Sequence, residues 1–189
     1  MGKRTRPIRK LVDQGDVPLP QSWEQFIALE ENKADLATFL SNWVISRGTE
    51  LSEDKEIVTG GGFCDSLGAK SNVHGLQPPL DCSHEEADTR MILHTKDAIN
   101  QGFHRVQVQC NDTDVLLLLV HFFGQLQVDV WMISGTAKQR KCYPVGQIAA
   151  SLSPAVVNNI LGFHALIGCD STSSLTGIDW EEGLLEGIL

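Results

Sequence analysis

The sequence predicts an α/β fold, in which helices alternate with the strands of a mainly parallel sheet. Three consecutive segments support this prediction. "FHRVQVQC" alternates apolar and polar residues like a strand, "DVLLLLVHFF" is apolar and long enough to form a buried helix, and "VDVWMIS" reads as a second strand. A strand–helix–strand succession is typical of parallel pairing. We therefore expect residues 105–110 and 128–134 to form adjacent core strands flanked by helices.

The first half of the chain predicts an irregular lead-in followed by helix. Residues 1–20 are basic and then interrupted by prolines. Their "KRTRPIRK" stretch is either a solvated arm or a nuclear-import patch. "SWEQFIALEENKADLATFLSNWVIS" has helical spacing, with Ser22 as a candidate N-cap, and predicts two helices or one helix kinked near residues 31–32. "KEIVTGGGF" predicts a short strand, and residues 64–82 predict a loop.

Capping signals predict the remaining helix boundaries. Ser83 and Glu86 have the spacing of a capping box, and Gly102 is a candidate helix end. Two further helices are expected over Pro144 to Leu152 and over Pro154 to Ile167, each with a proline at or near its first turn.

Composition narrows the functional classes. The chain has 189 residues and a net charge of −9, although its first ten residues are strongly basic. The rest of the chain, after the first ten residues, is acidic, which argues against extensive sequence-independent binding to nucleic acid. Clustered acidic residues can nevertheless bind phosphates through divalent cations. The odd number of cysteines contains no CxxC pair, which favours reduced thiols in an intracellular protein. Histidines such as His121 and His164 are scattered, and no apolar run is long enough to span a membrane.

Acidic residues occur at three predicted junctions between secondary-structure elements. Glu86 and Asp88 lie at a helix start, Asp112 and Asp114 follow a strand, and Asp170 follows a helix. Each has a local explanation, as a partner of the helix dipole, an N-cap or an Asx-turn. Together they could meet at the carboxyl rim of a parallel sheet, where their repulsion would require a cation. Oxygen ligands indicate Mg²⁺ or Mn²⁺, and replacing Asp112 and Asp114 by Asn is then expected to stabilise the ion-free protein.

These motifs resemble those of a known family. "EEAD", "NDTDVLLL" and "LGFHALIGCDSTSSLTGI" are similar in order and spacing to the core of PIN-like nucleases of the flap-endonuclease/XPG type. The phrases HEEADTR, DTDVLLL and HALIGCDSTS also resemble those of uncharacterised, multi-copy animal proteins with PIN-like domains. The resemblance implies a three-layer α/β/α domain that hydrolyses DNA or RNA with two Mg²⁺ or Mn²⁺ ions. It makes Glu86, Asp88, Asp112, Asp114 and Asp170 the catalytic metal ligands.

The same resemblance suggests further residues and marks two departures. Arg90 either pairs with Glu86 or holds a phosphate, and Gly177 matches the first glycine of the family's Gly-Ile-Gly turn, which here ends in Asp179. No apolar strand ending in Asp is found within residues 1–50, so we expect residues 21–189 to form a single PIN-like domain without its first strand. The alternative is a catalytically silent PIN-like module that binds nucleic acid or a protein partner.

Overall fold

The structure is a computed structural model that describes residues 9–12, 15–18, 20–52, 55–60, 68–76, 80 and 87–167. The chain divides into two compact units, Met1–His84 and Glu85–Leu189, and each is described by itself below. The expected capping box at Ser83 and Glu86 lies outside the described residues, as do Asp170 and Gly177.

The first unit consists of two helices and a small antiparallel sheet. Helices α1 (Trp23–Ile27) and α2 (Glu30–Gly48) confirm the predicted pair, and Ser22 caps α1 by accepting a hydrogen bond from the Gln25 backbone N–H. The strands are β1 (Val58–Gly60), β2 (Ala69–Ser71) and β3 (Gly75–Leu76).

The prediction of a loop over residues 64–82 is wrong at β2 and β3, which lie within that range; residues 64–67, 77–79 and 81–82 lie outside the described part of the chain. The residues of these two strands show no apolar alternation, and side-chain hydrogen bonds support the hairpin instead. The Asn72 side chain accepts from the Ile57 N–H at 2.7 Å and donates to the Gly48 carbonyl at 3.1 Å.

The described end of the basic lead-in is bound to α2. The fully buried Asn32 side chain accepts hydrogen bonds from the Lys10 backbone N–H at 2.9 Å and from the Arg9 guanidinium at 3.0 Å. Arg9 also forms an ion pair with Asp35 at 2.6 Å. A buried amide needs such partners, because an unsatisfied polar group is costly in the interior. Arg9 and Lys10 therefore do not belong to a solvated arm, and residues 1–8 lie outside the described part of the chain.

The second unit is a mixed α/β structure, which confirms the predicted fold class. Its elements are α3 (Ala87–Asn100), β4 (Arg105–Gln109), α4 (Thr113–Leu126), β5 (Asp129–Thr136), β6 (Gln139–Pro144), α5 (Val145–Ser151) and α6 (Pro154–Ile167). Strands β4 and β5 are adjacent and parallel, as predicted, while β6 pairs antiparallel with β5. The described sheet is therefore mixed rather than mainly parallel. Strand β6 was not predicted, because its sequence, QRKCYP, is mostly polar and shows no apolar alternation.

One face of this sheet and helix α4 form the core. The paired residues Val108 and Met132 are buried together with Val130, and they pack with Val115 and Leu119 of α4. The alternate residues of β4, which point to the opposite face, are exposed: Arg105, Gln107 and Gln109. The described residues confirm the α/β class but not the expected three-layer arrangement.

The helix ends follow their capping signals. Gly102 has a φ of +94° and ends α3 in a Schellman arrangement, with hydrogen bonds from Gly102 N to Ile99 O and from Phe103 N to Ala98 O. Pro154 is the first residue of α6, as predicted. Among the helices that the structure describes, none is both long and apolar enough to cross a membrane.

Candidate functional site

The strand-to-helix junction after β4 holds the two acids of the Asp-x-Asp motif. Asp112 has an extended backbone and is the N-cap of α4, because its Oδ1 atom accepts a hydrogen bond from the Asp114 N–H at 3.0 Å. The preceding Cys110 continues the parallel ladder by donating its N–H to the Ile133 carbonyl at 3.0 Å. The structure therefore confirms the N-cap role that was considered for Asp112. Asp112 lies at the carboxyl end of the parallel strands β4 and β5.

Asp114, in the first turn of α4, contacts a histidine from a distant helix. His164 Nε2 of α6 lies 2.9 Å from Asp114 Oδ1, and their side chains are only 15% and 29% exposed. Since a carboxylate can only accept, the hydrogen bond requires a proton on Nε2. The two residues are fifty positions apart, and no sequence spacing connects them.

Packing of α6 against α4 explains this contact. A second contact joins the same helices, where His121 Nδ1 lies 2.9 Å from the Val157 carbonyl oxygen. His121 follows Asp114 by two helical turns, and Val157 precedes His164 by two turns. The helices therefore run antiparallel, and the carboxyl end of α6 lies beside the start of α4.

The two carboxylates have the right chemistry for a hard cation but form an incomplete site. Both use Oδ1 in the contacts above, so that Oδ2 of each is the atom with which it could ligate a metal. Oxygen donors at such a rim suit Mg²⁺ or Mn²⁺. Within residues 87–167 and the other described ranges, however, no three His, Cys, Asp or Glu side chains are grouped to hold a metal ion. The further expected ligands Glu86 and Asp170 lie outside those ranges.

Asp88 and Arg90 lie in the first turns of α3 and are partly buried. Asp88 is favourably placed near the positive end of the helix dipole. Burial lowers the pKa of His94 below its ordinary value; nearby Asp97 raises it, and Arg90 lowers it again by charge repulsion. Arg90 therefore acts electrostatically on its own helix.

A polar side chain joins this rim to the end of β5. Asn111, directly before Asp112, accepts a hydrogen bond through Oδ1 from the Gly135 N–H at 2.7 Å. No pattern in the sequence pointed to Asn111, and strand β6, which pairs with β5 at Gly135, was not predicted. A separate cleft of about 280 Å³ lies between α3 and β4, and neither Asp112 nor Asp114 lines it.

Comparison with known proteins adds no neighbour to this description: no protein-family model, curated protein or solved structure matches the chain. The residues at the rim and the motifs that contain them are therefore the basis for a functional proposal.

Proposed function

We propose that the second unit is a divalent-metal-dependent, nuclease-type domain of the PIN-like kind that acts on DNA or RNA. The observation that carries the proposal is the position of Asp112 and Asp114 at the carboxyl end of the parallel strands β4 and β5. Ligands of open α/β sheets bind at this end.

The course of α6 supports the inclusion of Asp170. The contact between His164 and Asp114 brings the carboxyl end of α6 to the rim. Asp170 follows Ile167, the last residue of α6, by three positions. Three residues span at most about 11 Å, so the covalent chain allows Asp170 to reach Asp114.

The course of α3 supports the inclusion of Glu86 and Asp88. Helix α3 ends at Asn100, shortly before β4 begins at Arg105, and packs on that strand. Such a short connection makes the helix run back along the strand. The first turn of α3 then lies toward the carboxyl end of β4, where Asp112 follows.

The residues of the proposed site have three roles: metal ligand, orienting group and contact to substrate phosphate. Asp112 and Asp114 would hold the ions, together with Glu86, Asp88 and Asp170, while His164 orients the Asp114 carboxylate. Outer-shell hydrogen bonds of this kind commonly orient ligating carboxylates. When bound, paired ions activate a water and stabilise the leaving oxygen of a phosphodiester. Arg90 and Gly177 remain the proposed contacts to substrate phosphate.

Cleavage of labelled DNA and RNA, assayed with Mg²⁺, Mn²⁺ or EDTA, tests the activity. Asp112→Asn is the informative variant, since Asn caps a helix as well as Asp does but ligates a metal poorly. It should abolish metal-dependent cleavage without unfolding α4. Asp97→Asn, which changes an acid in the last turns of α3, is the matched control and should cleave normally. Cleavage that persists in EDTA, or in Asp112→Asn, would contradict the proposal.

Metal binding can be measured independently of cleavage. An ion that binds only the folded state at ten times its Kd stabilises that state by about 1.4 kcal/mol. Mg²⁺ or Mn²⁺ should therefore raise the Tm of the wild type and of Asp97→Asn, but not that of Asp112→Asn. Equal Tm values for the wild type with and without millimolar ion would count against the metal site.

A catalytically silent nucleic-acid-binding module is the second candidate. It is favoured by the finding that the described residues group no three metal-binding side chains. Such a module should bind oligonucleotides in EDTA and leave them intact when Mg²⁺ is added. The cleavage assay thus separates the two candidates.

We also propose an intracellular location, nuclear if the "KRTRPIRK" stretch acts as an import signal. The support within the described residues is that Cys110 and Cys142 are both free thiols.

A further inference from the structure

The β5–β6 hairpin extends beyond the end of β4. Pairing of β4 with β5 stops at Gln109 and Ile133, but β5 continues to Thr136 and the chain returns from Gln139 in β6. At about 3.3 Å per residue, the hairpin projects roughly 10 Å past β4. It projects at the carboxyl end of β4, the end that carries Asp112 and Asp114. We refer to residues 134–141 as the arm.

The arm is basic in an acidic chain. Its sequence, SGTAKQRK, contains three cations and no acid, whereas the whole chain has a net charge of −9. Lys138, Arg140 and Lys141 are all exposed, and within the described residues none of them takes part in an ion pair. Arg140 and Lys141 are consecutive in a strand and point to opposite faces. The arm therefore presents positive charge at its tip and on both faces.

The base of the arm is held to the acidic rim. The hydrogen bond from Gly135 N to Asn111 Oδ1, at 2.7 Å, joins the arm to the residue that precedes Asp112. Gly135 has a φ of +93°, and a Cβ at this position would collide with the Gln139 carbonyl oxygen. Both features fix the direction in which the arm leaves the sheet.

Protection of an exposed sheet edge is the alternative explanation for these cations, because lysines on edge strands prevent aggregation. Edge protection would place charge along the whole of β6, including residues 142–144, which lie opposite the part of β5 that pairs with β4. The later residues of β6, Cys142, Tyr143 and Pro144, are uncharged, and the cations lie instead where the arm passes the end of β4. Their position thus favours a role at the rim.

We propose that the arm binds the sugar–phosphate backbone of a nucleic acid, holding phosphates that flank the one at Asp112 and Asp114. This inference rests on the proposed function of the rim. The acids alone would repel a polyanion, and the arm supplies the attraction that the acidic body lacks. Because contacts to phosphates carry no sequence information, binding of the backbone through the arm should be independent of sequence.

The test measures binding in EDTA, where metal-dependent cleavage cannot occur. Fluorescence anisotropy gives the affinity for single-stranded DNA, duplex DNA and single-stranded RNA over a range of salt concentrations. The arm variant combines Lys138→Gln, Arg140→Gln and Lys141→Gln. The matched control removes three exposed lysines outside the arm, by Lys33→Gln, Lys55→Gln and Lys96→Gln.

Each phosphate contact contributes about 0.9 to the slope of log K against log salt for duplex DNA, and about 0.7 for a single strand. If all three cations bind phosphates, the slope for duplex DNA should decrease by about 2.7 in the arm variant and stay unchanged in the control. The three probes show which nucleic acid depends most on the arm. Equal slopes in the arm variant and the wild type would overturn the inference. It would also be overturned if the arm variant aggregates while its soluble fraction binds normally, because the cations would then protect the sheet edge.

Asp112→Asn separates this inference from the proposed catalysis. In EDTA it should bind oligonucleotides at least as tightly as the wild type, because it removes a negative charge near the phosphates. A reduced salt slope in the arm variant, without any cleavage by the wild type, would support the arm and refute catalysis. If the arm variant cleaves nucleic acid and also binds it with wild-type affinity, catalysis is supported and the proposed binding role of the arm is refuted.

Discussion

Replacing Asp112 by alanine tests how α4 is anchored at the rim. The Asp112 carboxylate accepts a hydrogen bond from the Asp114 N–H at 3.0 Å, which is one of the otherwise unsatisfied donors of the first turn. Alanine removes this acceptor together with its negative charge. Asparagine keeps an acceptor of the same shape and removes only the charge.

The expected magnitudes follow from these two contributions. Losing an N-cap costs about 1 kcal/mol, and losing a negative charge at the positive end of a helix costs about 0.3–1 kcal/mol. Asp112→Ala should therefore lower the free energy of unfolding by about 1.5 kcal/mol, and Asp112→Asn by less than about 1 kcal/mol. The loss affects the whole unit, because α4 carries Val115 and Leu119 into the core. For a chain of this length, each kcal/mol shifts the Tm by about 2–4 °C.

Urea denaturation followed by far-UV circular dichroism measures both variants in EDTA. Repulsion among the clustered carboxylates, from which the sequence predicts that replacing both Asp112 and Asp114 by Asn stabilises the ion-free protein, would give the opposite sign for these single substitutions as well. Equal stability of the alanine and asparagine variants, or a gain in stability from alanine, would refute the capping argument.

Three further predictions concern the core, the pH dependence and the arm. Leu119→Ala, at a fully buried position, should lower the free energy of unfolding by about 2–5 kcal/mol in urea denaturation; a loss below 1 kcal/mol would contradict the assigned core. Burial lowers the pKa of His94 below 6.5 in the folded protein. The unfolded chain therefore protonates His94 more readily, and stability is lost as the pH falls from 6.5 through the pKa of His94 in the folded state. His94→Gln should therefore lose less stability than the wild type between about pH 7 and pH 5, and parallel pH profiles would contradict the burial argument. Gly135→Ala should destabilise the protein by more than about 1 kcal/mol, because alanine is strained at positive φ; an unchanged Tm would contradict the arm geometry.

The sequence predicted the central elements of the second unit correctly. Strand β4 was recognisable because apolar and polar residues alternate along it, and burial on one face produces that period. Helix α4 was recognisable because its segment is too apolar to face solvent and long enough to form a helix. Strand β6 was missed because it lies at the edge of the described sheet and its residues are mostly exposed, so that no hydrophobic alternation is required. The β2–β3 hairpin was missed for a related reason, since side-chain hydrogen bonds of Asn72 support it.

The candidate site was predictable only in part. Asp112 and Asp114 stood out because charge is rare between a strand and an apolar helix, and the structure confirms for Asp112 the N-cap role that was considered for either of them. His164 could not be selected among scattered histidines, and the arm could not be recognised without β6. The predicted meeting of at least four of the acids Glu86, Asp88, Asp112, Asp114 and Asp170 stays a prediction. Among the described residues, Asp88 forms no metal-binding group of three with Asp112 and Asp114, and Glu86 and Asp170 lie outside the described ranges.

By itself, the sequence determined the local structure: the β4–α4–β5 order, the cap at Asp112 and the helix end at Gly102 all depend on residues a few positions apart. Only the tertiary structure decided that His164 meets Asp114 and that the arm projects past β4 at the acidic rim. The reason is physical. Periodicity and capping act over one or two turns, whereas the antiparallel packing of α6 on α4 and the pairing of β6 with β5 depend on how whole surfaces fit together.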